Sequence, residues 1–224
     1  MNEMFSDCKS LTSLDLSSFN TEKVIDIGGM FSFCSSLKSV DLSSFNTESV
    51  VDMRSLFYCC SSLISLDLSN FYTKNVKIMF TMFHECSSLT SLNIPNFNTK
   101  NANSMSGLFR NCLSLASLDL SSFNTKNVNS MDGMFRCCYS LISLNISNFN
   151  TENLVDMREM FAFCKNLKYL DLSNLNTHKV QNMEDMFEGC ESLISIDFTN
   201  FKTENVNRMS RMFRFCKSLL SLDL

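Results

Sequence analysis

The sequence predicts an α/β solenoid: a right-handed horseshoe with a continuous parallel sheet on its concave side and short helices on its convex side. Three observations carry that reading. One spacing of 26 residues runs through the chain, a strand-like triplet recurs at one phase of it, and apolar residues recur at helical spacing at another.

The triplet LDL at 14–16 returns as VDL at 40–42, LDL at 66–68, LNI at 92–94, LDL at 118–120, LNI at 144–146, LDL at 170–172, IDF at 196–198 and LDL at 222–224, with no insertion or deletion. A fixed period of about 20 to 50 residues marks a solenoid, in which each repeat buries its apolar face only against its neighbours. Residues 1–224 are therefore read as a single solenoid of eight full repeats plus partial repeats at both ends.

The strand comes first in each repeat. Leu11, Leu14 and Leu16 spell L-x-x-L-x-L; Leu14 and Leu16 face one side of an extended chain and Ser13, Asp15 and Ser17 the other. Phe19 tucks into the turn that follows. Thr21 stands at a position that is threonine in all eight complete copies. Its hydroxyl could accept a backbone N–H at a helix start, so it is read as an N-cap. Val24, Ile27, Met30, Phe31 and Cys34 then follow at helical spacing, with Glu22, Lys23 and Asp26 on the polar side, which predicts a helix of about three turns. A helix is about 10 Å across and stacked strands about 4.8 Å apart, so the helical layer must fan outward and the solenoid curve. The alternative is an all-β solenoid lacking that helix.

Other columns share the phase. Phe5, Phe31, Phe57, Phe83, Phe109, Phe135, Phe161, Phe187 and Phe213 fall in register, as do nine of the eleven cysteines. All fifteen methionines occupy two columns, one holding Met53 and Met79, the other Met30 and Met82. These are read as core, thioethers being good fillers of irregular gaps.

L-x-x-L-x-L followed by a helix resembles the leucine-rich repeat. The longer phrase LxxLDLSSFNTxxVxxMxxMFxxCxSL resembles the bacterial surface protein 26-residue repeat of the BspA-like leucine-rich repeat surface proteins, and it covers essentially the whole chain. The departures are mild: Tyr72 and Lys202 replace an asparagine, Leu175 the turn phenylalanine, and Pro95 interrupts a serine column. The resemblance implies an interaction scaffold, secreted or on a cell surface, that binds a protein or glycan partner.

Nineteen basic and twenty-three acidic residues are dispersed along the chain, with a formal charge of −4. That balance offers no nucleic-acid groove. No apolar run is long enough to cross a bilayer in this segment, and no secretory signal peptide opens it. Met1, Met4 and Phe5 align with Met53, Leu56 and Phe57, so the chain is expected to begin inside a helix and to stop as a strand begins. Solenoids carry polar caps, and their absence predicts a fragment, whose missing targeting signals say little about location.

The cysteine column is read as buried thiols rather than a disulfide framework, which favours varied spacings. Zinc is disfavoured because there is no C-x-x-C pair and only His84 and His178 are available; both lie outside the apolar columns and are expected to be solvated. No metal or cofactor is expected. Neither a glycine-rich phosphate loop nor an isolated nucleophile set stands out, so the chain is not expected to be an enzyme. Arg208, Arg211, Arg214 and Lys217 form a basic cluster, read as a solvated convex face.

One column points outward. Asp15, Asp41, Asp67, Asn93, Asp119, Asn145, Asp171, Asp197 and Asp223, with Ser13 beside the first, form the candidate ligand-binding face. Neighbouring carboxylates about 5 Å apart repel by roughly 1 kcal/mol in water. Serine hydroxyls from the Ser13 and Ser17 columns, bound cations or a ligand could offset this; repulsion by itself predicts raised pKa values. Positions 13, 15 and 17 hardly vary, whereas the position of Thr12, Lys38 and Ile64 does. The leading expectation is a binding scaffold for an extended partner. A structural spacer without a ligand is the second, and a cation-dependent adhesion element the third.

Overall fold

The computed structural model describes residues 1–198 and 200–222; the last acidic-column member, Asp223, lies outside them. Six short strands are present: β1 Ser65–Asp67, β2 Ser91–Asn93, β3 Ser117–Asp119, β4 Ser143–Asn145, β5 Tyr169–Leu170 and β6 Ser195–Ile196. They sit at the predicted phase in six successive coils from Ser65 to Ile196, while the equivalent residues 14–16 and 40–42 form no strand, and they alternate as predicted: Leu66 and Leu118 point inward while Ser65, Asp67, Ser117 and Asp119 are exposed.

The sheet is not continuous. β1 pairs with β2, β3 with β4 and β5 with β6, each in parallel and in register. Strands of two or three residues offer few rungs, so a small twist interrupts the ladder.

The convex helices are absent among the described residues. Residues 105–112 show what replaces them. The N–H groups of Met105, Gly107, Phe109 and Asn111 donate to Ser130, Asp132, Met134 and Arg136 on the next coil, at 2.8 to 2.9 Å. The N–H groups between them close turns within the coil, Leu108 to Met105, Arg110 to Gly107 and Cys112 to Phe109. Gly107 and Asn111 have φ of 60° and 62°, the left-handed third position of a type II turn. Every coil repeats this pair, as at Gly29 and Phe33 or Ser55 and Cys59. A left-handed residue every fourth position forbids a helix.

The inward spacing survives: Ile27, Met30, Phe31, Cys34 and Leu37 are all buried. A chain of turns thus presents the same face that a helix would. Because this back wall advances coil to coil by backbone hydrogen bonds, as the strands do, the width argument for a curved horseshoe loses its basis.

The core is one apolar column per coil position. Phe5 through Phe213 stack ring on ring, with centroids 5.4 to 6.0 Å apart and planes within 12°. A few contacts break the sameness. The Phe163 ring occupies the space a Cβ at residue 189 would need, and Gly189 stands there. Glu159 is held among Arg136 at 2.9 Å, Arg158 at 3.0 Å and Arg110 at 3.8 Å.

Candidate ligand-binding face

Ser13, Asp15, Asp41, Asp67, Asn93, Asp119, Asn145, Asp171 and Asp197 are all exposed at one phase of the coil, with Asp67, Asn93, Asp119 and Asn145 inside strands. Pairing sets Asp67 opposite Asn93 and Asp119 opposite Asn145. The aspartates are held by hydrogen bonds made two residues on. The N–H groups of Ser17, Ser43, Ser69, Ser121 and Ser173 donate at 2.9 Å to Asp15, Asp41, Asp67, Asp119 and Asp171. The Ser17 and Ser173 hydroxyls, then backbone N–H groups, hold Asp15 and Asp171 below the usual carboxylate range, while at Asp41, Asp67 and Asp119 the N–H leads and the hydroxyl follows. Asn93 and Asn145 each donate an amide to the aspartate beside them, at 3.0 and 3.1 Å.

The expected rise in pKa is therefore reversed. Repulsion from Asp15 is the smallest influence on Asp41, because donors aimed at each carboxylate outweigh a neighbour screened by water. The donors are the Ser17 column, to which the sequence reading had added the Ser13 column.

Behind this face, side chains staple coil to coil. Thr21, read as an N-cap, instead reaches the next coil: its Oγ1 donates to the Asn46 carbonyl at 2.9 Å and accepts the Asn46 N–H at 2.8 Å. Thr99, Thr125 and Thr151 repeat the bridge. Asn101, Asn127 and Asn153 donate to the preceding coil. The cysteine column is buried from Cys34 to Cys190, while Cys8 is exposed and Cys216 half-buried; from Cys34 onward each column thiol donates to a phenylalanine carbonyl one coil back, as Cys112 does to Phe83 at 3.2 Å. Burial pushes these thiols up, to about 11 at Cys34 and well above the ordinary thiol value at Cys112, so they are poor nucleophiles.

Three members of the basic cluster, Arg211, Arg214 and Lys217, are engaged with the coil before them. Arg211 pairs with Asp185 at 2.8 Å and Glu184 at 2.9 Å, Arg214 with Glu188 at 3.4 Å and Lys217 with Glu191 at 2.6 Å. His84 is not solvated: its ring lies 4.8 Å from that of Tyr58, and its Nδ1 is buried without a partner. Burial lowers its pKa. No group of three or more metal-ligating side chains forms among the described residues. No helix among them is long and apolar enough to cross a membrane.

One residue on the front face escaped the sequence reading. Tyr169 stands where the other coils carry serine, and it is 68% exposed. With Ile142, Ser143, Asp171, Ser195 and Asp197 it lines a shallow depression of about 680 Å³. The signal was available as the single large departure in the Ser13 column. A further cavity, of about 750 Å³, lies at residues 183–214 and is lined mainly by apolar side chains, among them Phe198, Phe201, Met212 and Phe213.

Regular coils, an inward leucine pattern and short parallel strands at one phase of the repeat define a leucine-rich-repeat solenoid. The chain belongs to the family described as "Mycoplasma protein of unknown function, DUF285", whose model matches residues 1–117, 64–145 and 103–222. That membership agrees with the resemblance to the bacterial surface protein repeat. Among solved structures, a leucine-rich repeat protein from Bacteroides ovatus is similar with a TM-score of 0.54 at 18% identity, over 98% of this chain and 62% of that one. This chain thus spans less than two thirds of that protein. The T. pallidum leucine-rich repeat protein gives a TM-score of 0.39 at 22% identity, over 69% of this chain and 76% of that one. A leucine-rich cell surface protein from Faecalibacterium prausnitzii gives 0.36 at 18%, over 98% and 74%. No curated protein sequence matches the chain.

Proposed function

We propose that the chain is a non-enzymatic interaction scaffold, exposed on a cell surface or secreted, whose front face binds an extended protein or glycan partner across several coils. The observation that carries this is the registration of like exposed groups, serine opposite serine at Ser65–Ser91 and Ser117–Ser143, and aspartate opposite its amide counterpart at Asp67–Asn93 and Asp119–Asn145. Rows with a step of about 4.8 Å suit a partner that repeats or extends, and weak contacts in several coils add through effective concentration. The surface location rests on the family resemblance. No cofactor takes part, and the scaffold is a single solenoid unit.

A second reading, a spacer with no ligand of its own, is favoured by the threonine, asparagine and cysteine staples that tie every coil to the next. One experiment separates the two. Partner capture from the surface of cells in contact with the protein is compared for Asp119→Ala and for the triple variant D67A/D119A/D171A. The scaffold predicts little change in the first and severe loss in the second; a spacer predicts no change in either.

A further inference from the structure

The front face is regular except around Tyr169. A large side chain 68% exposed there adds nothing to the core, since the inward layer is already filled by Leu170, 6% exposed. Ile142, 60% exposed on the preceding coil, lines the same depression and extends the apolar patch. Tyr169 and Asp171 are two residues apart on one extended segment and so share a face. The register Tyr169 to Ser195 and Leu170 to Ile196 brings Asp197 alongside Asp171. Both bonds from Ser173, N–H and hydroxyl, land on Oδ1 of Asp171, and among the described residues no hydrogen bond is directed to its Oδ2. Lys168 precedes Tyr169 in the chain but does not line the depression.

An exposed aromatic face beside two carboxylates selects a flat cation. A guanidinium stacks on a tyrosine ring and gives paired N–H bonds to a carboxylate, whereas an ammonium acts as a point charge. A neutral sugar could also use a ring and acceptors. However, the acidic row continues along the same face through Asp15, Asp41, Asp67 and Asp119, and a stripe of one sign favours a partner of the other. We infer that Tyr169, Asp171 and Asp197 seat an arginine side chain from a basic segment of a protein partner. This rests on the front face being the binding surface and locates its anchor there.

The test uses the whole chain and three probes: a peptide Arg-Ser-Arg-Ser-Arg blocked at both ends, the same peptide with lysine, and a neutral cello-oligosaccharide. The arginine peptide should bind about fivefold more tightly than the lysine peptide, with amide shifts centred on residues 142–144, 169–171 and 195–197. Tyr169→Leu should erase that preference, and Tyr169→Phe, which keeps the ring, should retain it. Equal binding of the two peptides, a preference that survives Tyr169→Leu, or oligosaccharide binding at Tyr169 in place of the peptide each overturns the inference. The triple variant D67A/D119A/D171A keeps the wider reading separate. If it still binds both peptides like the parent chain, the front face itself is the wrong surface. If it loses binding while no arginine preference exists, only the seat at Tyr169 is wrong.

Discussion

Replacing Thr125 distinguishes an N-cap from a staple between coils. Thr125 is fully buried. Its Oγ1 donates to the Asn150 carbonyl at 2.9 Å and accepts the Asn150 N–H at 2.8 Å, so one hydroxyl completes two backbone groups of the next coil. Thr125→Val keeps the shape and leaves both groups unpaired. Each unpaired buried group costs about 1 to 3 kcal/mol. Asn150 is half-exposed, so water recovers part of the loss, and about 3 kcal/mol is expected. Thr125→Ser keeps the bridge and loses one methyl, for about 1 kcal/mol. Thr125→Asp is the deciding variant. At an N-cap, aspartate serves as well as threonine or better; here a carboxylate accepts the N–H but meets the Asn150 carbonyl lone pairs, so the loss should exceed that of valine. Urea unfolding followed by circular dichroism, with m-values compared, measures all three. Stability of Thr125→Asp within about 0.5 kcal/mol of the parent chain would refute the staple.

Gly107→Ala carries a similar contrast in sign. In a helix it would gain about 1 kcal/mol, but at a φ of 60°, with a Cβ that would stand 3.1 Å from Thr81 Cγ2, it should lose about 1 kcal/mol, read from the same unfolding curves. For pH, the lowered values of Asp15, Asp41, Asp67, Asp119 and Asp171 mean that their stabilisation is present above the unfolded value of 3.8 and is lost as pH falls through the folded values. Melting temperature should therefore drop below about pH 4; a rise on acidification there would restore repulsion as the dominant effect. Asp132, raised by burial and then by Asp156, works in the opposite sense, so Asp132→Asn should raise the melting temperature at pH 7. Thiol labelling of the native protein should modify the exposed Cys8 quickly and leave Cys86, Cys112, Cys138, Cys164 and Cys190 untouched until unfolding; fast labelling of the column would contradict its burial.

The period, the inward columns and the strand phase were legible in the sequence because each coil must bury the same residues against the next. The wall opposite the strands was not. Positions 27, 30, 31, 34 and 37 turn inward on a helix and on a run of turns alike, so apolar spacing cannot separate them. Glycine could have: Gly29, Gly107, Gly133 and Gly189 all fall in the two left-handed columns, where a helix interior disfavours them. Thr21 was singled out correctly as special, but its partner lies twenty-five residues on, and a local reading sees only local partners. In the candidate face the row was legible and its charge state was not, because Ser17 N–H direction depends on the turn. Tyr169 was passed over because a column judged constant by its majority hides its exception.

The uniform ring stack has a cost for finding the right partner during folding. If every coil meets its neighbour through the same phenylalanine, threonine and cysteine contacts, a coil displaced by one whole repeat satisfies nearly all of them. The common residues thus supply cohesion without saying which coil comes next. That information lies in the exceptions. Phe163 fits against Gly189 and not against a coil bearing a side chain at that point; Glu159 needs Arg110 and Arg136 behind it; Arg211 needs Asp185; Asp67 and Asp119 each meet an asparagine. Making the repeats more alike should therefore strengthen individual interfaces while widening the set of misaligned states, so that a consensus version of this chain gains stability and loses fidelity of order.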